Sequence, residues 1–117
     1  MTHMMTLAAA ANALGARTAG GDPRFGSVST DSRTLEPDAM FVALRGDRFD
    51  GHDYLAAAKA RGAVAAMIDA AAVSACASAG LAALVVADTR RALGDLARHW
   101  RDQFRIPLIA IVGSNGK

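Results

Sequence analysis

The sequence is poor in cysteine, in aromatic residues and in net charge. One cysteine, Cys76, among 117 residues excludes an intrachain disulfide and a clustered cysteine metal site, and fits a reducing cytoplasm. Aromatic residues make up 5% of the chain and the net charge is +2, without a run of Lys and Arg, so nucleic acid is not an expected partner. Because no apolar stretch is long enough to span a membrane and no signal-peptide pattern is present, we expect a cytoplasmic protein without membrane insertion.

Apolar residues, by contrast, are abundant, largely because of alanine. Hydrophobic residues make up 52% and charged residues 21% of the chain, which is a globular balance. The length suits one domain with a real core. Extended apolar segments alternate with helical ones, which predicts an α/β fold: a small mixed sheet with helices packed on it.

Caps and periodicity predict the individual elements. Thr6 is expected to cap the first helix and Gly15 to end it. The predicted strands are Phe25–Ser29, Met40–Leu44, Ala63–Ile68, Leu81–Ala87 and Leu108–Val112. The predicted helices are Leu7–Leu14, a helix from Tyr54 to about Arg61 capped by Asp53, and a long helix capped by Asp88 or Thr89. Residues 70–79 are weakly patterned, and the sequence is compatible with either a short helix or a loop there. In the long helix, the apolar stripe comprises Leu93, Leu96, Ala97, Trp100 and Phe104.

The stretch from Ser29 to Tyr54 places many polar and sharply turning residues around one apolar strand. Asp31 and Ser32 can bond nearby backbone amides and so fix the shape of a loop. Guanidinium groups suit phosphate or carboxylate, and glycines permit close approach of a ligand: Arg33, Arg45, Arg48, Gly46 and Gly51. This pattern predicts a ligand-binding surface. Ordinary turns with a solvated charged rim are the alternative that the composition leaves open.

The sequence after the last predicted strand is typical of a phosphate-binding loop. Gly113 to Lys117 is rich in glycine and ends in lysine, which presents backbone amides and a cation to phosphate. The general Walker A spacing would require glycine where Ile111 stands, so the motif alone is a weak signal. We predict that residues 1–106 form an N-terminal domain and that residues 107–117 are the truncated start of an ATP-binding domain.

Four motifs occur in order and together resemble the N-terminal part of a Mur ligase: Thr30-Asp-Ser-Arg33, Met40-Phe-Val-Ala-Leu-Arg-Gly46, Phe49-Asp-Gly-His-Asp53 and Gly113-Ser-Asn-Gly-Lys117. Mur ligases are ATP-dependent amide ligases that build the stem peptide of peptidoglycan. The resemblance covers most of the chain, from about Val28 onward. It implies a three-domain enzyme whose first domain binds the UDP end of the substrate, and whose full length requires ATP and Mg²⁺.

The resemblance also implies roles for particular residues. Thr30 and Ser32 would lie at the uracil. The full set implied to bind the UDP-sugar is Thr30, Ser32, Arg33, Arg45, Gly46, Asp47, Arg48, Phe49 and Asp50. The set implied to bind ATP is Gly113, Ser114, Asn115, Gly116 and Lys117. No catalytic residue, metal ligand or bound cofactor is expected in this fragment, which we expect to be inactive on its own.

Within the family, the motifs resemble most the member that adds D-alanyl-D-alanine to UDP-N-acetylmuramoyl-tripeptide. Asp-Gly-His-Asp at residues 50–53 and serine at position 114 carry this distinction. The alternatives are the ligase that adds the third stem-peptide residue, a stand-alone nucleotide-sugar-binding module, a P-loop NTPase fragment of another family, and a structural partner domain. The sequence does not fix the oligomeric state, and we expect a monomer.

Overall fold

The computed structural model describes residues 5–44 and 50–104, with side chains as far as Trp100. Its strands are β1 (Met5–Thr6), β2 (Arg17–Ala19), β3 (Arg24–Phe25), β4 (Ser27–Ser29), β5 (Ala39–Val42), β6 (Ala65–Asp69) and β7 (Ala82–Val86). Its α-helices are α1 (Leu7–Leu14), α2 (Leu55–Ala60), α3 (Val73–Ser78) and α4 (Thr89–Phe104). Short 3₁₀ helices, Gly51–Tyr54 and Ala70–Ala72, precede α2 and α3.

A five-stranded mixed sheet in the order β2-β7-β6-β5-β4 forms the centre of the molecule. The four strands from β4 to β7 run parallel, and β2 is antiparallel to β7 at one edge. A separate two-stranded antiparallel sheet joins β1 to β3. Since the parallel strands follow chain order, α2 and α3 serve as the crossover connections between them.

The core lies on both faces of the large sheet. One face packs against α2 and α3 through residues such as Phe41, Leu55, Ile68 and Cys76. The other packs against α1 and α4 through residues such as Leu7, Phe25, Met67 and Leu96. Strands covered on both faces need apolar residues at every position, which is why the sequences AMFV, AAMI and AALV do not alternate with polar residues.

Several sequence-based predictions are confirmed. The α/β fold with a small mixed sheet is present, and Thr6 caps α1 by accepting a hydrogen bond from the Ala9 amide. Gly15 ends that helix in the left-handed region, with φ of 65°. Residues 70–79, left open between helix and loop, form a 3₁₀ turn and then α3.

Other predictions are wrong in detail. The predicted strand Phe25–Ser29 is two strands: Phe25 pairs antiparallel with Met5, and after Gly26 the chain pairs parallel with β5. Asp53 does not cap a helix; Asp50 caps the 3₁₀ turn three residues earlier by accepting from the His52 amide. The edge strand β2 was not predicted because its residues Arg17 and Thr18 are exposed and give no apolar pattern.

Some predictions lie outside the described residues, namely the strand Leu108–Val112 and the boundary between residues 106 and 107. The same holds for the side chain of Phe104. In the rest of the predicted stripe on α4, Leu96 and Ala97 are buried, and Leu93 and Trp100 are half-buried. Among residues 5–44 and 50–104, no helix is both long enough and apolar enough to cross a membrane.

Candidate functional site

Polar segments gather at one edge of the parallel sheet. The strands β4 to β7 all point their carboxyl ends to this edge, where they finish at Ser29, Val42, Asp69 and Val86. In open α/β sheets, ligands bind in the crevice beyond the carboxyl ends of the strands. The polar residues that follow β4, β5 and β7 are therefore placed where this architecture presents a ligand site.

The loop after β4 is held in shape by its own side chains. The Arg33 amide donates to Asp31 Oδ1 at 2.8 Å, and the guanidinium donates to both carboxylate oxygens, at 3.1 and 3.2 Å. Ser29 Oγ accepts from the Asp31 amide at 3.1 Å. The hydrogen bonds from Arg33 hold the pKa of Asp31 below its usual value. The loop thus has a fixed shape, with the carboxylate charged and paired.

A groove of about 490 Å³ opens beside this loop. Ser32 is only 8% exposed, and among the described residues its hydroxyl takes part in no hydrogen bond within the chain, although it borders the groove. No side-chain oxygen or nitrogen of the described residues is buried without a partner, so this hydroxyl is open to the groove although most of the residue is buried. It can both donate to and accept from a ligand. The groove is lined by Thr30, Asp31, Ser32, Arg33, Phe41 and Tyr54.

A buried histidine joins the segment after β5 to the end of β6. His52 Nδ1 lies 2.6 Å from Asp50 Oδ1, and the Asp69 amide donates to His52 Nε2 at 3.2 Å. Because Nε2 accepts this hydrogen bond, the ring proton is on Nδ1 and is donated to Asp50. The ring is 8% exposed. His52 therefore fixes the 3₁₀ turn Gly51–Tyr54 against the sheet.

The same turn is in close contact with the end of β5. The Gly51 amide donates to the Leu44 carbonyl oxygen at 2.6 Å. A Cβ on Gly51 would lie 2.7 Å from the Leu44 nitrogen and 2.9 Å from Ala43 Cα, so only glycine fits. On the other side, Thr89 Oγ1 donates to the Ala43 carbonyl oxygen at 2.7 Å. The backbone at the end of β5 is therefore held by residues from two other segments, the 3₁₀ turn and the start of α4.

The first turn of α4 also lies at this edge, but the amides of Arg90, Arg91 and Ala92 are already paired with Asp88. Asp88 Oδ1 accepts from the amides of Arg90 and Arg91, at 3.0 and 3.2 Å. Helix N-termini attract phosphate through free amides and the helix dipole, and here a carboxylate occupies that place. The structure therefore favours the groove after β4, rather than the start of α4, as the ligand site.

In the part of the chain that the structure describes, no three side chains of His, Cys, Asp or Glu are arranged so that they could hold a metal ion. The pairing of His52 with Asp50 and Asp69 is instead a hydrogen-bond network between two segments.

Comparison with protein families gives a match to the model described as "Mur ligase family, catalytic domain", over residues 24–101. The match covers two thirds of the chain and includes the loop after β4 and the segment around His52. The chain belongs to the Mur ligase family.

Individual Mur ligases are similar over nearly the whole chain. The UDP-N-acetylmuramoyl-tripeptide--D-alanyl-D-alanine ligase of Escherichia coli (strain K12) is 41% identical over 113 residues, which is 97% of this chain and 24% of that protein. The UDP-N-acetylmuramoyl-L-alanyl-D-glutamate--2,6-diaminopimelate ligase of Chlorobaculum tepidum is 38% identical, over 95% of this chain and 22% of that protein. The chain thus spans about a quarter of the length of these curated Mur ligases.

Solved structures agree with this relationship. A crystal structure of MurF from Acinetobacter baumannii matches with a TM-score of 0.68 and 33% identity, over 85% of this chain and 21% of that one. The similarity confirms the predicted Mur ligase fold.

The predicted UDP-sugar residues of this Mur ligase chain divide into two groups. Thr30, Ser32 and Arg33 lie together along the groove. Asp50 lies at the same edge but serves as the cap of the 3₁₀ turn and the partner of His52. The others lie outside the described residues, as do all the predicted ATP residues: Arg45, Gly46, Asp47, Arg48, Phe49, and Gly113, Ser114, Asn115, Gly116 and Lys117.

Three groove and anchor residues of this Mur ligase chain were missed from sequence. Phe41 and Tyr54 line the groove, and His52 anchors the turn. The spacing of Asp50 and His52 is a signal for a local cap and could have been used. The contact of His52 with Asp69 spans 17 residues and has no local signal.

Proposed function

We propose that this chain is the N-terminal, UDP-substrate-binding part of an ATP-dependent ligase that adds D-alanyl-D-alanine to UDP-N-acetylmuramoyl-tripeptide. The observation that carries the proposal is the groove at the carboxyl edge of the sheet, where the hydroxyl of Ser32 has no hydrogen-bond partner among the described residues. Similarity over most of the chain to MurF and to UDP-N-acetylmuramoyl-tripeptide--D-alanyl-D-alanine ligases supports the choice of substrate.

The described residues suit recognition of the nucleoside end. A uracil ring carries both donors and acceptors on its edge, and the hydroxyls of Thr30 and Ser32 can match either. The Asp31–Arg33 ion pair holds the loop in place, so these hydroxyls are presented with little loss of conformational freedom on binding. In the proposal, the pyrophosphate is bound by the guanidinium groups of Arg45 and Arg48.

Binding at this end contributes to a reaction that occurs elsewhere on the substrate. In the proposal, ATP with Mg²⁺ activates the substrate carboxylate, and Gly113–Lys117 begin the ATP site. The described residues bind and orient the UDP end, and such remote binding free energy can position the reacting carboxylate. In the proposal, the protein is also a monomer that acts in the cytoplasm.

A second candidate is the ligase that adds the third stem-peptide residue. The diaminopimelate ligase of Chlorobaculum tepidum shares 38% identity with this chain over 95% of its length, which favours this ligase as the alternative. Both substrates carry the same UDP end. Ligase assays of the full-length protein with D-alanyl-D-alanine and with diaminopimelate, each with its matching UDP-peptide, separate the two.

The binding site is tested by replacing its polar groups in the full-length protein. We expect Arg48→Ala to raise the Michaelis constant for the UDP-substrate about ten-fold or more, since a hydrogen bond to a charged group contributes roughly 1.5–3 kcal/mol. Ser32→Ala should raise it several-fold and up to about ten-fold, since a hydrogen bond between neutral groups contributes roughly 0.5–1.5 kcal/mol. The turnover number should change less, because this end is bound alike in the ground and transition states. Arg48→Ala should show the stronger dependence on salt.

Matched controls exist on surfaces away from the groove. Ser74→Ala changes an exposed serine in α3, and Arg98→Ala changes an exposed arginine paired with Asp95 in α4. Both should leave the Michaelis constant unchanged. If Ser32→Ala and Arg48→Ala behave like these controls, with unchanged melting curves, the groove is not the substrate site.

A further inference from the structure

Tyr54 combines exposure with a position in the groove. It is 42% exposed, the one large hydrophobic residue that stands open to solvent among residues 5–44 and 50–100. Its neighbours in the groove are Phe41 and the loop 30–33. An exposed aromatic ring in a groove offers a face on which a planar base can stack, a contact that does not depend on hydrogen-bond matching.

The position of Tyr54 depends on the 3₁₀ turn that carries it. Asp50 caps this turn, and the Gly51 amide ties it to Leu44. His52, in the middle of the turn, reaches across to the Asp69 amide at the end of β6. Its burial and its two hydrogen bonds make His52 the link between the turn and the sheet.

We propose that Tyr54 contacts the pyrimidine base of the substrate and that His52 is the positioning residue that holds Tyr54 in the groove. This inference rests on the proposed function and extends it to two residues that the motif comparison leaves without a role. The ring of Tyr54 covers one face of the base, and Thr30 and Ser32 face its edge. His52 holds the turn through Nδ1, which is hydrogen-bonded to Asp50, and through Nε2, which accepts from the Asp69 amide.

Two conservative substitutions separate the hydrogen bonds of His52. In His52→Asn, the side-chain amide reaches the place of Nδ1 and keeps the donation to Asp50. In His52→Gln, the longer side chain reaches the place of Nε2 and keeps the acceptance from Asp69. The link to the sheet is retained only in the second, so His52→Gln should preserve substrate affinity better than His52→Asn.

The experiment measures substrate affinity and turnover in the full-length protein. Tyr54→Ala should raise the Kd for UDP and the Michaelis constant for the UDP-substrate about ten-fold, and Tyr54→Phe should stay near wild type because the ring remains. His52→Asn should raise both constants by a similar factor, with the turnover number at saturation within about two-fold. His99→Asn, a half-buried histidine in α4, is the control and should change none of them.

A double-mutant cycle tests whether His52 acts through Tyr54. If it does, His52→Asn should add little in a protein that already carries Tyr54→Ala, because the ring it positions is gone. Fully additive effects on Kd would overturn the positioning role. Wild-type affinity in Tyr54→Ala would overturn the contact with the base.

Measuring Ser32→Ala in the same assays distinguishes a failure of this inference from a failure of the proposed function. If Ser32→Ala weakens UDP binding and the Tyr54 and His52 variants do not, the groove binds the substrate and the inference alone fails. If no variant changes the affinity, both fail. Should His52→Asn lower the melting temperature severely, the cycle is measured at a temperature at which circular dichroism shows all the variants folded, and Tyr54→Ala still decides the contact because its side chain is outside the core.

Discussion

At the scale of single residues, Gly51 is a position where the fold leaves no room for a side chain. Its missing side chain allows the turn to lie against the backbone of Ala43 and Leu44. We expect Gly51→Ala to lower the free energy of unfolding by about 1–3 kcal/mol, since the backbone must move to admit a methyl group. Urea denaturation measures this.

Gly94 supplies the matched control for that substitution. It lies in α4, and a Cβ there would meet nothing within 4 Å. Gly94→Ala should raise the free energy of unfolding by about 0.5–1 kcal/mol, because alanine restricts the unfolded chain and favours the helix. Equal effects at both positions would contradict the close packing of Gly51.

Cys76 gives a pH dependence with a definite sign. Cys76 lies in α3, and its burial in the core raises the pKa of its thiol from 9.0 to about 11. Between these two values the unfolded chain has lost the proton and the folded chain keeps it, so stability falls as the pH rises. Below pH 9 the contribution is fully present.

Comparison of the wild type with Cys76→Ala isolates this effect from the titration of other groups. The free energy of unfolding of the wild type should fall more steeply between pH 9 and 11, by on the order of 1 kcal/mol per pH unit. The folded thiol should also react slowly with alkylating reagents at neutral pH. Parallel pH curves for the two proteins would show that Cys76 ionises normally.

At the scale of elements, the start of α4 depends on Asp88 and not on Thr89. Asp88 Oδ1 accepts from two amides of the first turn, and the hydroxyl of Thr89 is turned inward to Ala43. We expect Asp88→Ala to lower the free energy of unfolding by about 1 kcal/mol. Asp95→Ala, which removes an exposed partner of Arg98 in the same helix, should cost about 0.3–0.5 kcal/mol or less. Thermal and urea unfolding of both variants compares them, and equal losses would refute the cap.

The helices and strands also show which parts of the fold can be predicted from the sequence. The cap of α1 at Thr6 and the buried strand β5 were predictable because their signals are local: a hydroxyl before a helix and an unbroken apolar run. The division of β3 from β4 was not, because the two short strands pair with different partners on either side of Gly26. Exposed strand β2 is likewise defined by its partner and not by its own residues.

At the scale of the whole molecule, the same limit applies to the candidate site. Thr30, Ser32 and Arg33 were predicted from one motif, and they lie together because they are adjacent in sequence. Phe41, in β5, and Tyr54, in the connection after β5, join them only because parallel strands bring the connections after β4 and β5 to one edge of the sheet. Motifs therefore identify segments, and the topology decides which of them meet.

The division of the chain near residue 106 is a prediction about the whole molecule. Residues 5–100 contain both sides of the core: α1 and α4 cover one face of the sheet, and α2 and α3 cover the other. Because each face already has its cover, we expect a chain shortened to residues 1–106 to fold with a free energy of unfolding within about 1 kcal/mol of the 117-residue chain. Urea denaturation followed by circular dichroism measures both proteins.

The control for this truncation removes a helix that carries core residues. A chain shortened to residues 1–88 lacks α4 and so exposes the partners of Ala92 and Leu96 on the sheet. Loss of a buried leucine side chain alone costs about 2–5 kcal/mol, a large part of the stability of a small domain, so this shorter chain should not unfold cooperatively. If the chain of residues 1–106 also lost its cooperative transition, residues 107–117 would belong to the N-terminal domain, and the boundary would have to move beyond them.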